Sequence, residues 1–334
     1  MDVLQWIEEA LDAKTCNSED FIYEDMDSQS GRSLPIVYQE FDSRRKGHWQ
    51  DRGSLFDFLF SVRGENNKLL DFGPGDGWPS LIVAPFAAEI IGIEGSEKRV
   101  AVCSENATRL GVANVEYVFA RPGTPLPFGD DTFDGIMASS SVEQTPDPQA
   151  TLAELFRVLR PAGRLRINYE SLSGYRNGHE RDAFLWGMGA DRCRLILYDR
   201  DIEHECVRQY GLTYAVSQKN LVKLLDASER SLTFDSLTIQ RLEALSYRLL
   251  DARVCRTTHP SGQTLATWPL DIGFSEVYPT HSGSTSAGML FDSIPKKRHP
   301  SDLQGVDELV RPLAEVVCAL ASPLDTDPML TAVK

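Results

Sequence analysis

Between Lys68 and Glu170, short apolar runs alternate with stretches whose apolar residues recur every three or four positions. An apolar run between turn residues marks a strand buried on both faces, and the helical spacing marks a helix with one face for the sheet. The runs predict strands over 69–72, 89–94, 115–119, 135–138 and 164–169. Helices fall between them. One covers 96–110, with Ser96 as its cap and Gly111 as its stop; another covers 148–159, with Asp147 as cap and Pro161 and Gly163 closing it. Leu152, Leu155, Phe156 and Leu159 give the second helix a stripe that can cover a sheet.

Outside this region the rhythm changes. Val3, Ile7, Ala10 and Leu11 stand at helical spacing and predict an amphipathic helix over 2–14. A polar, acidic stretch follows to about residue 32, and Leu55, Phe56, Phe58, Leu59 and Phe60 then predict a helix leading into the first strand. From 171 to 256 the alternation breaks, and helical patterns over 220–227 and 236–250 predict an inserted, largely helical lid. The alternation returns with a helical segment ending at Gly273-Phe274 and two strand-like runs, 276–279 and 287–291, before a terminal helix over 306–320 and a loose tail. The fold class is therefore α/β: a doubly wound, mostly parallel, seven-stranded, Rossmann-like sheet with N-terminal helices and a largely helical insertion after the fifth strand. The chain divides into an N-terminal helical cap (1–60), a ligand-binding α/β core (61–170), an inserted lid (171–257), the end of the core (258–293) and a C-terminal helix and tail (294–334).

Composition narrows the function. A chain of 334 residues with 42% hydrophobic side chains can bury an enzyme-sized core. Its formal charge of -15 opposes attraction to nucleic acid and to anionic membranes, so neither is an expected partner. No apolar run reaches the roughly 20 residues of a membrane span, and Met1-Asp2-Val3 lacks the start of a secretory signal, which points to the cytoplasm. The basic clusters Arg44-Arg45-Lys46 and Lys296-Lys297-Arg298 read as solvated surface. Six scattered cysteines without a C-x-x-C pair suit reduced thiols, and His204 with Cys206 lacks further ligands at metal spacing, so no metal is expected.

The chemistry concentrates in Leu69-Leu70-Asp71-Phe72-Gly73-Pro74-Gly75-Asp76-Gly77-Trp78-Pro79-Ser80, where a strand ends in three alternating glycines and a helix begins. Glycines allow the tight turn and let a ligand approach the backbone. The dinucleotide fingerprint G-x-G-x-x-G wants glycine where this chain has Trp78, which disfavours a nicotinamide or flavin cofactor. A sulfonium nucleoside with an amino-acid tail needs no pyrophosphate site and tolerates Asp76. Glu94 ends the next strand, where a carboxylate can accept hydrogen bonds from both hydroxyls of a ribose.

Further motifs follow in register: Pro125-Leu126-Pro127-Phe128-Gly129-Asp130-Asp131-Thr132-Phe133-Asp134, then Leu152-x-x-Leu155-x-x-Val158-Leu159-Arg160-Pro161-Ala162-Gly163-Arg164-Leu165. Together with the glycine loop they resemble the class I S-adenosylmethionine-dependent methyltransferases, within them the small-molecule group that includes the quinone-biosynthesis enzymes. The resemblance covers about residues 65–170 and implies S-adenosylmethionine as cofactor. It puts the cofactor against Asp71, Phe72, Gly73, Pro74, Gly75, Asp76, Gly77, Glu94, Gly95, Gly123, Thr124 and Ser139, with the methionine tail on Asp71, Gly73 and Gly75, the ribose on Glu94 and the adenine near Gly123 and Thr124. Pro122 stands where relatives carry an acid for the adenine amino group, which shifts adenine recognition towards backbone and apolar contacts.

The acceptor side belongs at the carboxyl ends of the later strands: Ser139, Ser140, Ser141 and Glu143, then Tyr169 and Glu170, then His281. Glu143 and His281 are the candidate proton-transfer residues, and Tyr38, Glu143 and Glu170 the candidate substrate contacts. The chain lacks an Asn-Pro-Pro-Tyr type motif after the fourth strand, which with the acidic charge favours a small-molecule methyl acceptor. Two readings compete: methyl transfer to O, N or C of a small organic molecule by in-line displacement, and a cofactor- or partner-binding protein that has lost catalysis.

Overall fold

The computed structural model describes residues 1–18, 23, 40–121, 125–170, 180–225, 232–324 and 329–334. The chain divides into two compact units, one of residues 31–170 and 262–334, the other of residues 1–30 and 171–261.

The first unit carries, in chain order, α1 (Lys46–Ser61), β1 (Lys68–Phe72), α2 (Ser80–Val83), β2 (Glu89–Glu94), α3 (Glu97–Leu110), β3 (Val115–Phe119), β4 (Phe133–Ser139), α4 (Pro148–Val158), β5 (Leu159–Asn168), α5 (Gly262–Ile272), β6 (Glu276–Thr280), α6 (Gly283–Ser293), α7 (Leu303–Val317) and β7 (Met329–Val333). They form a seven-stranded sheet ordered β6-β7-β5-β4-β1-β2-β3. The pairs β1·β2, β2·β3, β1·β4 and β4·β5 are parallel, and β7 runs antiparallel between β5 and β6. The chain moves outward from β1 to β3, then restarts at β4 on the other side of β1. That reversal opens a crevice above the carboxyl ends of β1 and β4, where open α/β sheets bind ligands.

Both faces of the sheet are covered. Leu70, Phe72, Ile136 and Ala138 pack with Leu152, Leu155, Leu265 and Phe274 on one face. Leu69, Ile90 and Met137 pack with Trp49, Leu55, Phe58, Val306 and Val310 on the other. The caps are those that the sequence marks: Ser96 Oγ accepts from Arg99 N at 3.2 Å, Asp147 Oδ1 accepts from Ala150 N at 2.9 Å, and Gly111 ends α3 at φ 67°. Pro85 sits in a 3-10 turn, Ala84–Phe86, that ends the four-residue α2.

A buried ion pair fastens this unit across its layers. Arg166 on β5 and Asp57 on α1 lie 2.8 Å apart with both side chains 0% exposed. Arg166 Nη1 also donates to Thr280 Oγ1 and Thr331 Oγ1, and Asp57 Oδ2 accepts from Gly283 N at 2.7 Å. One charge pair thus joins α1, β5, β6, β7 and the start of α6.

The run 287–291, expected as a strand, lies inside helix α6. Ala287, Leu290 and Phe291 repeat at helical spacing, and Ser282 caps the helix by accepting from Thr285 N at 3.4 Å. The seventh strand is instead Met329–Val333, in the segment expected as a loose tail.

The second unit corrects the expected helical insertion. It is a five-stranded sheet in which Arg181–Gly187, Cys193–Asp201, Cys206–Tyr214 and Leu249–Thr258 run antiparallel and Lys14–Thr15 adds a parallel edge. Its α-helices among the described residues are short: Val3–Ala10, Gln218–Leu224 and Ile239–Glu243. Leu195 pairs with Leu212 and Leu197 with Tyr210, all buried, so alternate positions along these strands build its core with Leu4 and Ile7. An apolar run as short as Leu195-Ile196-Leu197 does not distinguish strand from helix by periodicity. The expected cap over 1–60 is shared between the units, 1–30 falling here and 31–60 in the other. Among the described residues no helix is long and apolar enough to cross a membrane.

Candidate functional site

The loop after β1 takes backbone conformations that glycine favours: Gly73, Gly75 and Gly77 have φ of 74°, 64° and 108°. Gly73 N donates to Ile93 O at 2.9 Å, which ties the loop to β2, and Gly77 N donates to Pro74 O at 2.8 Å, which curls it into α2. A Cβ on Gly73 would stand 2.6 Å from Ser141 Cβ, so the loops after β1 and β4 touch at the crevice.

Two buried acids support this loop. Asp71 is 0% exposed; its Oδ2 accepts from Ser80 N at 2.9 Å and its Oδ1 has no hydrogen-bond partner. Burial pushes the Asp71 carboxyl up to about 8, against the bonds from Ser80 and with a smaller push from Glu94. Glu94, 3% exposed, accepts from Gly75 N through Oε2 and from Gly95 N through Oε1, both at 2.9 Å. Burial raises its carboxyl, opposed by the charge of Arg99 and by backbone N–H groups.

Sequence reasoning missed the rest of the cradle. Cys103 Sγ donates to Gly75 O at 3.4 Å, Asn106 Nδ2 donates to Asp76 O at 2.8 Å, and Tyr117 Oη lies 3.1 Å from Ser80 Oγ. Burial raises the Cys103 thiol and the Tyr117 phenol, so both stay neutral and neither serves as a nucleophile. The signal was weak: Cys103 and Asn106 show only as the inward face of helix α3, and Tyr117 only as one residue of strand β3.

On the acceptor side, Ser139 Oγ lies 3.5 Å from Asn168 Nδ2, and Ser140 N donates to Asn168 O at 2.7 Å. Glu143 is 1% exposed and Glu170 is exposed; Glu143 Oε1 accepts from Glu170 N at 3.1 Å, which joins the loops after β4 and β5. Phe72 is a core residue of the sheet, and Tyr169 is buried. His281 is not brought to this locus. It is exposed at the end of β6, three strand spacings from β4, roughly 14 Å. Tyr38, Pro122, Gly123 and Thr124 lie outside the described residues.

The donor set fits a ligand with positive charge better than one with phosphates. Asp71, Asp76 and Glu94 face the loop with Arg99, and Asp71 Oδ1 has no hydrogen bond. Phosphates in that company would meet repulsion, whereas an ammonium or sulfonium group would meet acceptors. Glycine loop, buried acids and switch-point crevice together make the kind of place where open α/β sheets bind their ligands.

Residues 70–167 match a family model described as a methyltransferase domain. The uncharacterized methyltransferase YcgJ of Bacillus subtilis is 35% identical over 103 residues, 30% of this chain and 40% of that protein. The demethylmenaquinone methyltransferase of Clavibacter sepedonicus is 36% identical over 106 residues, 32% of this chain and 41% of that protein. The chain thus spans about two fifths of the length of these curated relatives. The crystal structure of YcgJ is 29% identical, with a TM-score of 0.34, over 35% of this chain and 50% of that one. Over residues 70–167 the chain is thus similar to class I S-adenosylmethionine-dependent methyltransferases, and S-adenosylmethionine is the cofactor of that class.

Proposed function

We propose that the protein transfers a methyl group from S-adenosylmethionine to O, N or C of a small organic molecule. The observation that carries this reading is the meeting of the β1 and β4 loops, with Glu94 docked on Gly75 at the same crevice. S-adenosylmethionine, when bound, supplies an activated methyl group on a sulfonium. Gly73, Gly75 and Gly77 present backbone to it, Glu94 offers carboxylate oxygens to its ribose, and Asp71 supports the loop beneath its methionine tail. Glu143, Glu170 and Ser139 stand across the crevice, where an acceptor would be oriented and shielded from water. The demethylmenaquinone substrate in one relative's name is a small molecule, which supports that acceptor class here.

Calorimetric titration tests the reading. S-adenosylmethionine and S-adenosylhomocysteine are expected to bind, and NAD is not. Binding of NAD, or of none of the three, would overturn it; cofactor binding with no transfer to any acceptor would favour the inactive alternative.

A further inference from the structure

We propose that Glu143 is the proton acceptor of the reaction, and that the methyl acceptor is therefore an ionisable hydroxyl, a phenol or an enol. The inference rests on the methyltransferase reading and deepens it. Glu143 is the middle residue of a 3-10 turn, Val142–Gln144, directly after Ser141, the residue that touches Gly73 of the glycine loop. Glu143 thus stands two residues beyond the point where the two loops of the crevice meet.

The two oxygens of Glu143 differ. Oε1 is held by the Glu170 amide at 3.1 Å, whereas Oε2 is buried with no hydrogen-bond partner. No cation pairs with the side chain among the described residues. Ser141 Oγ, two residues back, is also buried without a hydrogen bond. Unsatisfied buried polar atoms are rare and costly, and two on one short loop at a crevice mark a place where a polar ligand group completes the bonding. Asp71 has an orphan oxygen too, but it lies beneath the glycine loop at the end of β1, on the cofactor side.

Burial pushes the Glu143 carboxyl up to about 7, opposed by backbone N–H groups that include that of Glu170, and helped by the charge of Glu170 from the end of β5. A base poised near neutral pH suits general-base catalysis. An amine that is already neutral at the working pH attacks through its lone pair and sheds its proton afterwards, so it leaves such a base idle in the transition state. A hydroxyl gains from it. The acceptor oxygen forms the new bond to the methyl carbon, the carbon–sulfur electron pair leaves with the donor sulfur, and the hydroxyl proton passes to Glu143 Oε2. Atoms and charge balance: a sulfonium and a carboxylate become a thioether and a carboxylic acid.

The experiment uses the full chain with radiolabelled S-adenosylmethionine and a panel of phenols and enolisable 1,3-diketones, from pH 5.5 to 9. Wild type, Glu143→Gln and Glu143→Asp are compared for single-turnover rate and for cofactor Kd. The wild-type rate should rise about tenfold per pH unit and level off near pH 7. Glu143→Gln should be at least about 100-fold slower with a flat profile and cofactor Kd within about twofold, and Glu143→Asp should regain part of the rate and the pH dependence. A flat wild-type profile, a glutamine variant that keeps the wild-type profile, or no transfer to any panel member by a protein that binds cofactor overturns the proposal. Absence of cofactor binding by wild type sinks the underlying methyltransferase reading instead.

Discussion

Glu94 Oε2 accepts a hydrogen bond from the Gly75 amide at 2.9 Å, so the acid at the end of β2 is docked on the loop at the end of β1. With the Gly95 bond it satisfies two backbone donors. Glu94→Ala should therefore loosen the loop and also remove the proposed ribose acceptor. Hydrogen bonds to charged groups contribute about 1.5–3 kcal/mol, so cofactor affinity should fall by tenfold or more in a calorimetric titration. An unchanged Kd would place the ribose elsewhere.

Gly75→Val should abolish cofactor binding and leave the domain folded by circular dichroism. A Cβ at Gly75 meets only the end of Arg99, at 3.3 Å, so there is room for the side chain to shift. The cost is the backbone at φ 64°, roughly 1–2 kcal/mol, and the loss of a bare surface for the ligand. Retained affinity would refute the role of the loop.

Asp71 makes the stability of the domain fall as pH rises. Burial raises its carboxyl from the ordinary 3.8 to about 8, so the folded state holds a proton that the unfolded chain releases. The stabilisation is complete below about pH 4 and is lost as pH climbs towards 8, by up to roughly 1.4 kcal/mol per unit from this group alone. Asp71→Asn should flatten that slope in urea unfolding between pH 5 and 8. A variant with the wild-type slope would show that another group governs it.

Arg166→Met should destabilise the protein by about 3–5 kcal/mol, since it strands the Asp57 charge in a dry core. Asp57→Leu combined with Arg166→Met should cost less than Arg166→Met alone, because it removes both charges. Chemical denaturation of the three proteins decides; equal losses for the single and double variants would mean that the pair is not energetically coupled.

Strands β1, β2, β4 and β5 were legible in the sequence because buried strands read as apolar runs, and the helices after β2 and β4 carry their own caps, Ser96 and Asp147. Glycine loop and Glu94 were legible because local backbone need dictates them. The inserted sheet was not: strands such as Cys206–Tyr214 interleave arginine, glutamine and glycine with their apolar residues, and their pairing is a long-range property that no window along the chain displays. Asp57 and Arg166 left a trace, each being a charge inside an apolar stretch, but nothing local says that residues 109 positions apart meet. His281 was placed correctly at a strand end; the sheet order then set it strands away from the crevice.

β7 lies between β5 and β6, although it follows both in the chain. β6 has no neighbour in the sheet until Met329–Val333 slots in beside it, and Thr331 on that same strand receives the Arg166 guanidinium. The edge of the cofactor domain is therefore assembled from segments that the inserted unit separates in sequence. Its folding must wait on long-range closure, which makes docking of the last strand a natural slow step and exposes the β5 edge as an adhesive surface until it occurs.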